Sequence, residues 1–435
     1  MALYLLLALA AAGLEALMIA LLRLGNLKAQ AVEFIGLTLG ACLLYLISVH
    51  VVTRIPSSRA LLAFVFLAGL AFRATLFPLY PSLSDDLLRY RWDGRAQLAG
   101  LNPYRSAPDA PEAAHLRDET WPAVNGKEFT TAYGPLTELV FRETWRMIAW
   151  VKPGLIGSVL LMKAPALLFD LGSAVMLALL LRRMNLPVSR VLVYWWCPLT
   201  VVEFAASGHN DSIAVFFLLA ALAAMEYGRP PLSLAALTAS AAAKMFAAFL
   251  APALIAREWR CLSSRFGRPV AWSLLLAAAV SIPYLSRMPG STLALAIGSG
   301  HWRNNDSLFG IVEWMTGSIR AASWIFIAAV AATSLTLAVK RTPLTRAAYL
   351  LIGVILTGAG NCFPWYLTWM LPLQAVYLNP AWLFLTAASQ LSYHIVIGYQ
   401  ALGVWQDSVF YRALEYVPFY ALLLYSLKLK SWRRP

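Results

Sequence analysis

Charged side chains are scarce in this 435-residue chain: Asp, Glu, Lys and Arg make up 13%, where a soluble domain carries about 25%. Cysteine is scarce too. Cys42, Cys197, Cys261 and Cys362 are scattered, with no CxxC and no Cys/His pair, which argues against a disulfide framework or a cysteine-based metal site. No Gly-rich phosphate loop is visible. Segments of alternating polarity, as a membrane β-barrel requires, are missing. Two similar halves with paired broken helices, as in many transporters, are missing as well. The N-terminal stretch lacks a basic n-region and stays apolar to about residue 22, so a retained first helix is expected rather than a cleaved signal.

What fills the chain instead is hydrophobic sequence, 60% of the residues, with a mean hydropathy of +0.66. Apolar runs follow one another from 3–22 to 413–427, many near the length that spans a ~30 Å hydrocarbon core as a helix. The expected fold is an all-α polytopic membrane protein, a single transmembrane unit over 1–435 with about 12–14 crossings. The formal charge of +14 does not point to nucleic acid, because Lys and Arg sit in short clusters between apolar runs. These lie at Arg54/Arg59, Arg182/Arg183/Arg190, Arg229, Arg257–Arg268, Lys340/Arg341/Arg346 and Lys428–Arg434. One topology puts all of them in the cytoplasm. It requires two short helices within 231–256 meeting near Lys244, and it leaves Arg23 and Lys28 outside. The polar stretch 79–155 then faces out, with the links around His209, 285–308, Asn361–Trp365 and Trp405–Asp407.

The unusual polar residues collect on that side. Asp85 and Asp86 follow the third apolar run directly. With 84–99 helical, Asp86, Tyr90 and Asp93 share a face, interleaved with Arg89 and Arg91. Capping of a juxtamembrane helix is one reading of the acidic pair. The other is chemical: a carboxylate accepts a hydroxyl proton and guanidinium groups clamp an anionic leaving group. Asp86 is the expected base and Asp85 the second candidate. Residues 102–126 read as an irregular lid, and Leu136–Trp150 as an amphipathic surface helix. Ser207–Ser212, which contains His209 and Asp211, interrupts two apolar runs as a turn or as part of a site. Lys244 stands alone among apolar residues, a functional candidate unless it snorkels to the interface. His301–Asp306, with Arg303, is a dense polar loop. Trp365 and Tyr366 sit in an aromatic segment that also suits an interface anchor.

In this order the pieces resemble the GT-C superfamily of polytopic glycosyltransferases, in particular polyprenol-phosphate-mannose-dependent mannosyltransferases, including the enzyme that adds the first mannose of the GPI anchor. The likeness covers roughly residues 60–380. It rests on Asp85-Asp86, Gly100-Leu101-Asn102-Pro103-Tyr104, Tyr133-Gly134-Pro135-Leu136, Lys244-Met245-Phe246, the His301–Phe309 loop and Pro364-Trp365-Tyr366 through Trp369. The acidic motif departs from the usual Asp-x-Asp, and two helices precede the usual first one.

The resemblance implies a polyprenyl-phosphate sugar donor, mannose or another hexose. It also implies a lipid, glycan or protein acceptor at the outer face of a bacterial inner membrane, and inversion at the anomeric carbon. Donor-phosphate contacts are expected from Arg89, Arg91, Lys244, His209 and Arg303. Substrate contacts are expected from Tyr90, Asp93, Tyr104, Tyr133, Asp211, His301, Trp365 and Tyr366. Arg, Lys and His can stabilise a phosphate leaving group without a metal, so no obligatory cofactor is expected. A lipid-linked glycan polymerase or ligase, or a lipid or polysaccharide transporter, is the competing reading.

Overall fold

A computed structural model describes residues 1–264, 272–273, 277 and 303–429. Among them the named elements are all helical. The principal helices are α1 (Ala2–Leu24), α2 (Ala31–Val52), α3 (Arg59–Leu76), α4 (Asp86–Leu98), α5 (Pro135–Val151), α6 (Gly154–Leu161), α7 (Ala164–Arg183), α8 (Asp211–Glu226) and α9 (Pro230–Ala243). They continue with α10 (Ala251–Ser264), α11 (Leu308–Thr316), α12 (Ile319–Val339), α13 (Leu344–Gly358), α14 (Leu371–Tyr377), α15 (Pro380–Ala388), α16 (His394–Leu402) and α17 (Val409–Leu429). Among the described residues five segments are long and apolar enough to cross a bilayer unaided: α1, α2, α3, the α6–α7 unit Gly154–Arg183, and α12. With the apolar composition they make this an all-α polytopic membrane protein. Among the other apolar runs, 212–227, 347–360 and 413–427 form the single helices α8, α13 and α17, while 191–206, 231–256, 366–378 and 381–400 are divided into shorter pieces. The run at 270–284 and the basic tail beyond Leu429 lie wholly or mostly outside the described residues.

The divisions are where the fold becomes specific. The run 191–206 reads in sequence as one apolar span, yet it forms a chain of short turns. A turn at Leu192–Trp195 is followed by Pro198–Thr200 and a π-helical turn, Val201–Ala206. Pro198 has no amide hydrogen to continue the ladder. Backbone groups freed at membrane depth must find partners within the protein. Side chains supply them. The Tyr45 hydroxyl donates to the Val193 carbonyl at 2.6 Å and Thr200 Oγ1 to the Tyr194 and Cys197 carbonyls at 2.9 Å, while the Trp195 and Trp196 indoles anchor the stretch to the Phe66 and Val65 carbonyls of α3. Arg73 donates to the Trp195 carbonyl at 2.7 Å. Gly69 lets this happen: a Cβ there would lie 2.2 Å from the Trp195 ring.

The expected break near Lys244 is present. Helix α9 ends at Ala243, Lys244 is extended (φ −145°, ψ 129°), and a 3-10 turn, Met245–Leu250, leads into α10. The stretch 79–155 carries α4 and α5, close to the helical segments expected there, around their own small core of Leu87, Tyr90, Trp92, Phe141 and Ile148. Between them, 102–131 is irregular apart from two short 3-10 turns. Gly134, at the start of α5, abuts the chain at the Lys244 break: a Cβ would meet the Ala242 carbonyl at 2.2 Å. Thr137 donates to the Ala243 carbonyl at 3.2 Å. These contacts fix the acidic loop against the discontinuous helix, which brings Asp86 and Lys244 to one region.

Candidate active site

Asp85 and Asp86 adjoin in sequence but diverge in space. Asp85 is the N-cap of α4, and both its oxygens accept from Lys28 Nζ at 2.8 and 2.9 Å. Its charge is therefore offset locally by Lys28. Asp86 turns inward. Asn125 Nδ2 donates to its Oδ1 at 2.6 Å, and its Oδ2 faces His209 Nε2 at 3.8 Å. A quarter of its side chain stays accessible, so one carboxylate oxygen remains open to a reactant.

The opposite wall is the link Ser207–Ser212. His209 stacks on Trp365 with ring centroids 4.0 Å apart and is bonded through Nδ1 to Glu203 Oε2 at 2.8 Å. Asp211 Oδ1 accepts from Lys244 Nζ at 2.5 Å and from Trp369 Nε1 at 2.6 Å. Lys244 also lies over the Tyr366 and Trp369 rings, 4.9 and 5.3 Å from their centroids. Cation, carboxylate, imidazole and aromatic segment thus meet at the broken helix. Ser207 Oγ, His209 Nε2, both amide atoms of Asn210, Asp211 Oδ2 and Ser212 Oγ are buried with no hydrogen-bond partner among the described residues. A buried polar atom left unpaired costs about 1–3 kcal/mol. Six of them fall in six consecutive residues, which makes this link a candidate part of the site.

Other expected site residues lie elsewhere in the structure. Arg89 Nε–H is shared between both oxygens of Asp93 (2.9 and 3.0 Å), and its remaining nitrogens donate to the carbonyls of Gly126 and Phe129. Arg91 is bonded to Ser158, Thr120 and Asp118. Both guanidiniums are buried and engaged by protein, which ties the irregular 102–131 stretch and α6 to α4. Tyr90, Tyr133 and Phe141 form an aromatic cluster, and the buried Tyr104 hydroxyl donates to the Tyr133 carbonyl at 2.6 Å. Beneath them, burial followed by the Asp93 charge pushes the Glu138 carboxyl well above the usual range. Burial raises Asp93 as well, against the lowering effect of Arg89. These four expected contacts, Tyr90, Asp93, Tyr104 and Tyr133, form the interior of the loop.

Arg303 belongs to a second polar cluster. It pairs with Asp306 and Glu313, and Asp306 also pairs with Arg412. His394 and Arg412 both approach Asp407, at 3.4 and 3.3 Å. The Cys362 amide donates to the Asn304 carbonyl at 2.8 Å, which joins this cluster to the Trp365 segment. His301 lies outside the described residues. No group of three or more His, Cys, Asp or Glu among the described residues is arranged to hold a metal ion.

Sequence reasoning passed over Asn125 and above all Glu203, a fully buried carboxylate inside an apolar run, and it gave Trp369 a place in a motif but no contact. The rule that flagged Lys244, an ionisable residue at membrane depth, applies equally to Glu203. Residues 2–259 match a family described as alpha-(1->6)-mannopyranosyltransferase, N-terminal domain, a stretch that includes Asp86, Glu203, His209, Asp211 and Lys244. No curated protein and no solved structure matches the chain.

Proposed function

The chain belongs to this mannosyltransferase family, and on that premise we propose that it is a GT-C-type enzyme moving mannose from a polyprenyl-phosphate donor to an acceptor hydroxyl. The family's linkage favours a C6 hydroxyl on an acceptor mannose, and inversion to an α product requires a β-linked donor. The observation that carries the reading is the meeting of Asp86, His209, Asp211 and Lys244 around a link full of unpaired polar atoms. In this reading Asp86 takes the acceptor proton as the oxygen attacks the anomeric carbon. The C–O bond to phosphate breaks with its electrons left on the phosphate, where Lys244 and His209 stabilise the charge. Arg89 and Arg91 serve by holding the loop. The site faces the periplasm of a bacterial inner membrane, 79–155 is the outer loop, and no metal is obligatory. The test is incubation of purified protein with a panel of polyprenyl-phosphate sugars and membrane lipid extract. Transfer from the mannosyl donor is expected; transfer only from a nucleotide sugar overturns the reading.

Two further outcomes are expected. Lys244→Ala removes a charge-assisted contact to phosphate, worth about 1.5–3 kcal/mol, so donor affinity or rate falls by roughly ten- to two-hundredfold. Initial rates across a donor titration measure this, and an unchanged curve removes Lys244 from the phosphate site. For sidedness, single cysteines replace Ser106 or Ser431 in a background lacking Cys42, Cys197, Cys261 and Cys362. An impermeant maleimide applied to intact cells that have been opened only to the periplasm should label position 106 and not 431; the reverse pattern inverts the topology.

A further inference from the structure

Glu203 is the most deeply engaged carboxylate near the site. It sits in the π-helical turn Val201–Ala206, a deviation often found at functional positions. Its carbonyl accepts the His209 amide at 2.8 Å, its Oε2 meets His209 Nδ1 at 2.8 Å, and its Oε1 accepts a very short bond from the Tyr393 hydroxyl. The imidazole is therefore held along one edge by Glu203 and on one face by Trp365. The preceding Gly208 has φ +75°, and a Cβ there would press Lys163 Cγ at 2.8 Å and Leu87 Cδ1 at 2.9 Å, so only glycine fits at the turn that presents the ring. One atom is left over. His209 Nε2 has no hydrogen-bond partner among the described residues and points toward Asp86 Oδ2 at 3.8 Å. A purely structural ion pair would leave no such atom directed at the proposed base.

We propose that Glu203 is a positioning residue that holds His209 as an imidazolium with Nε2–H directed at the reacting centre, making His209 the general acid and Asp86 the group that recharges it. The inference rests on the function proposed above. In the transfer step the acceptor proton goes to Asp86, the acceptor oxygen bonds to the anomeric carbon, and the anomeric C–O bond breaks. His209 Nε2 gives its proton to the departing phosphate oxygen. Asp86 then passes the acceptor proton to Nε2, so both groups return to their starting states. A carboxylate bonded to the distal ring nitrogen fixes the tautomer and raises the basicity of the ring. Burial alone lowers the His209 pKa, but the hydrogen bond and charge of Glu203, with Asp86 and Asp211 beyond, raise it overall. The groups around the ring are those three carboxylates, Tyr393 behind Glu203, Lys163 beneath Gly208, and Lys244 paired to Asp211.

The test is the pH dependence of kcat/KM with a polyprenyl-phosphate-mannose donor, for the intact purified protein and three variants. A general acid gives an alkaline limb, along which activity falls as the ring loses its proton. Glu203→Gln keeps an acceptor for Nδ1–H but removes the charge, so the limb should move to lower pH. The loss should grow from a few-fold below the limb to about a hundredfold above it, within the usual range for general acid–base catalysis. His209→Gln should abolish the limb, which decides the matter even if Glu203→Gln does not fold. Loss by one constant factor at every pH in Glu203→Gln, or a wild-type limb surviving in His209→Gln, overturns the proposal. Asp86→Asn, assayed alongside, separates the two failures. Full activity there removes the underlying reading, whereas an inactive Asp86→Asn together with an unmoved limb in Glu203→Gln removes only the relay.

Discussion

Asp86→Asn is expected to lower turnover at saturating donor by about 10²–10⁴-fold, the range that general-base catalysis contributes, with folding and donor binding retained. Asparagine preserves size and can still meet Asn125, which now holds Asp86 Oδ1 at 2.6 Å, but it cannot take the acceptor proton. The neighbouring Asp85→Asn gives the contrast. Its side chain is 40% exposed and paired to Lys28 at 2.8 Å, and an exposed pair of this kind contributes about 0–1 kcal/mol. Its loss should therefore leave turnover within a few-fold of wild type. Radiolabelled mannose transfer at saturating donor measures both, in the presence and absence of EDTA. Full activity in Asp86→Asn, or collapse in Asp85→Asn alone, exchanges or removes the assignment. Inactivation by EDTA with recovery on Mg²⁺ or Mn²⁺ recasts the acids as metal ligands.

The second large effect lies outside the chemistry. Arg73 on α3 and Asp170 on α7 are both buried and pair at 2.5 Å. The guanidinium also lies 3.4 Å from the Trp195 ring centroid, and Tyr194 donates to Asp170 Oδ1 at 2.7 Å. Removing one partner of a buried pair strands a charge and costs about 3–5 kcal/mol. Asp170→Ala should therefore lower the unfolding midpoint in detergent markedly and reduce the amount of protein recovered from membranes. Exchanging both residues for apolar ones of similar volume should cost much less, because no lone charge remains. Scanning fluorimetry on the single and double variants measures the difference. Equal stability of Asp170→Ala and wild type removes the pair as a structural element.

Local pattern carried part of this structure into the sequence. The acid-bearing helix α4 and the amphipathic α5 run close to where their apolar spacing and the Gly100 and Pro135 boundaries put them. The break near Lys244 was visible because the 26 residues of 231–256 are too few for two full spans. Long-range hydrogen bonds were not legible. Arg89 and Arg91 look like phosphate ligands until the carbonyls of Gly126 and Phe129 and the hydroxyls of Thr120 and Ser158 are seen to take their donors. The divergence of Asp85 and Asp86 depends on Lys28, 57 residues away. Glu203 was hidden for a different reason: hydropathy averages over a window, so one carboxylate among valines, alanines and aromatics leaves the run apolar. The same averaging made 191–206 look like a plain span.

That irregular stretch also constrains the order in which the chain can be inserted into a membrane. Residues 191–206 interrupt the main-chain ladder at membrane depth, and carbonyls that the interruption frees are taken by side chains of Tyr45 and Arg73. Both are synthesised earlier. When the stretch leaves the translocation machinery, α2 and α3 are already available as a template for it, and no later residue is needed for these bonds. A ribosome-stalled chain ending shortly after Arg183 should thus expose a waiting receptor. Swapping α2 and α3 to the end of the gene, though neutral for the finished contacts, would oblige the stretch to wait unsatisfied in the bilayer.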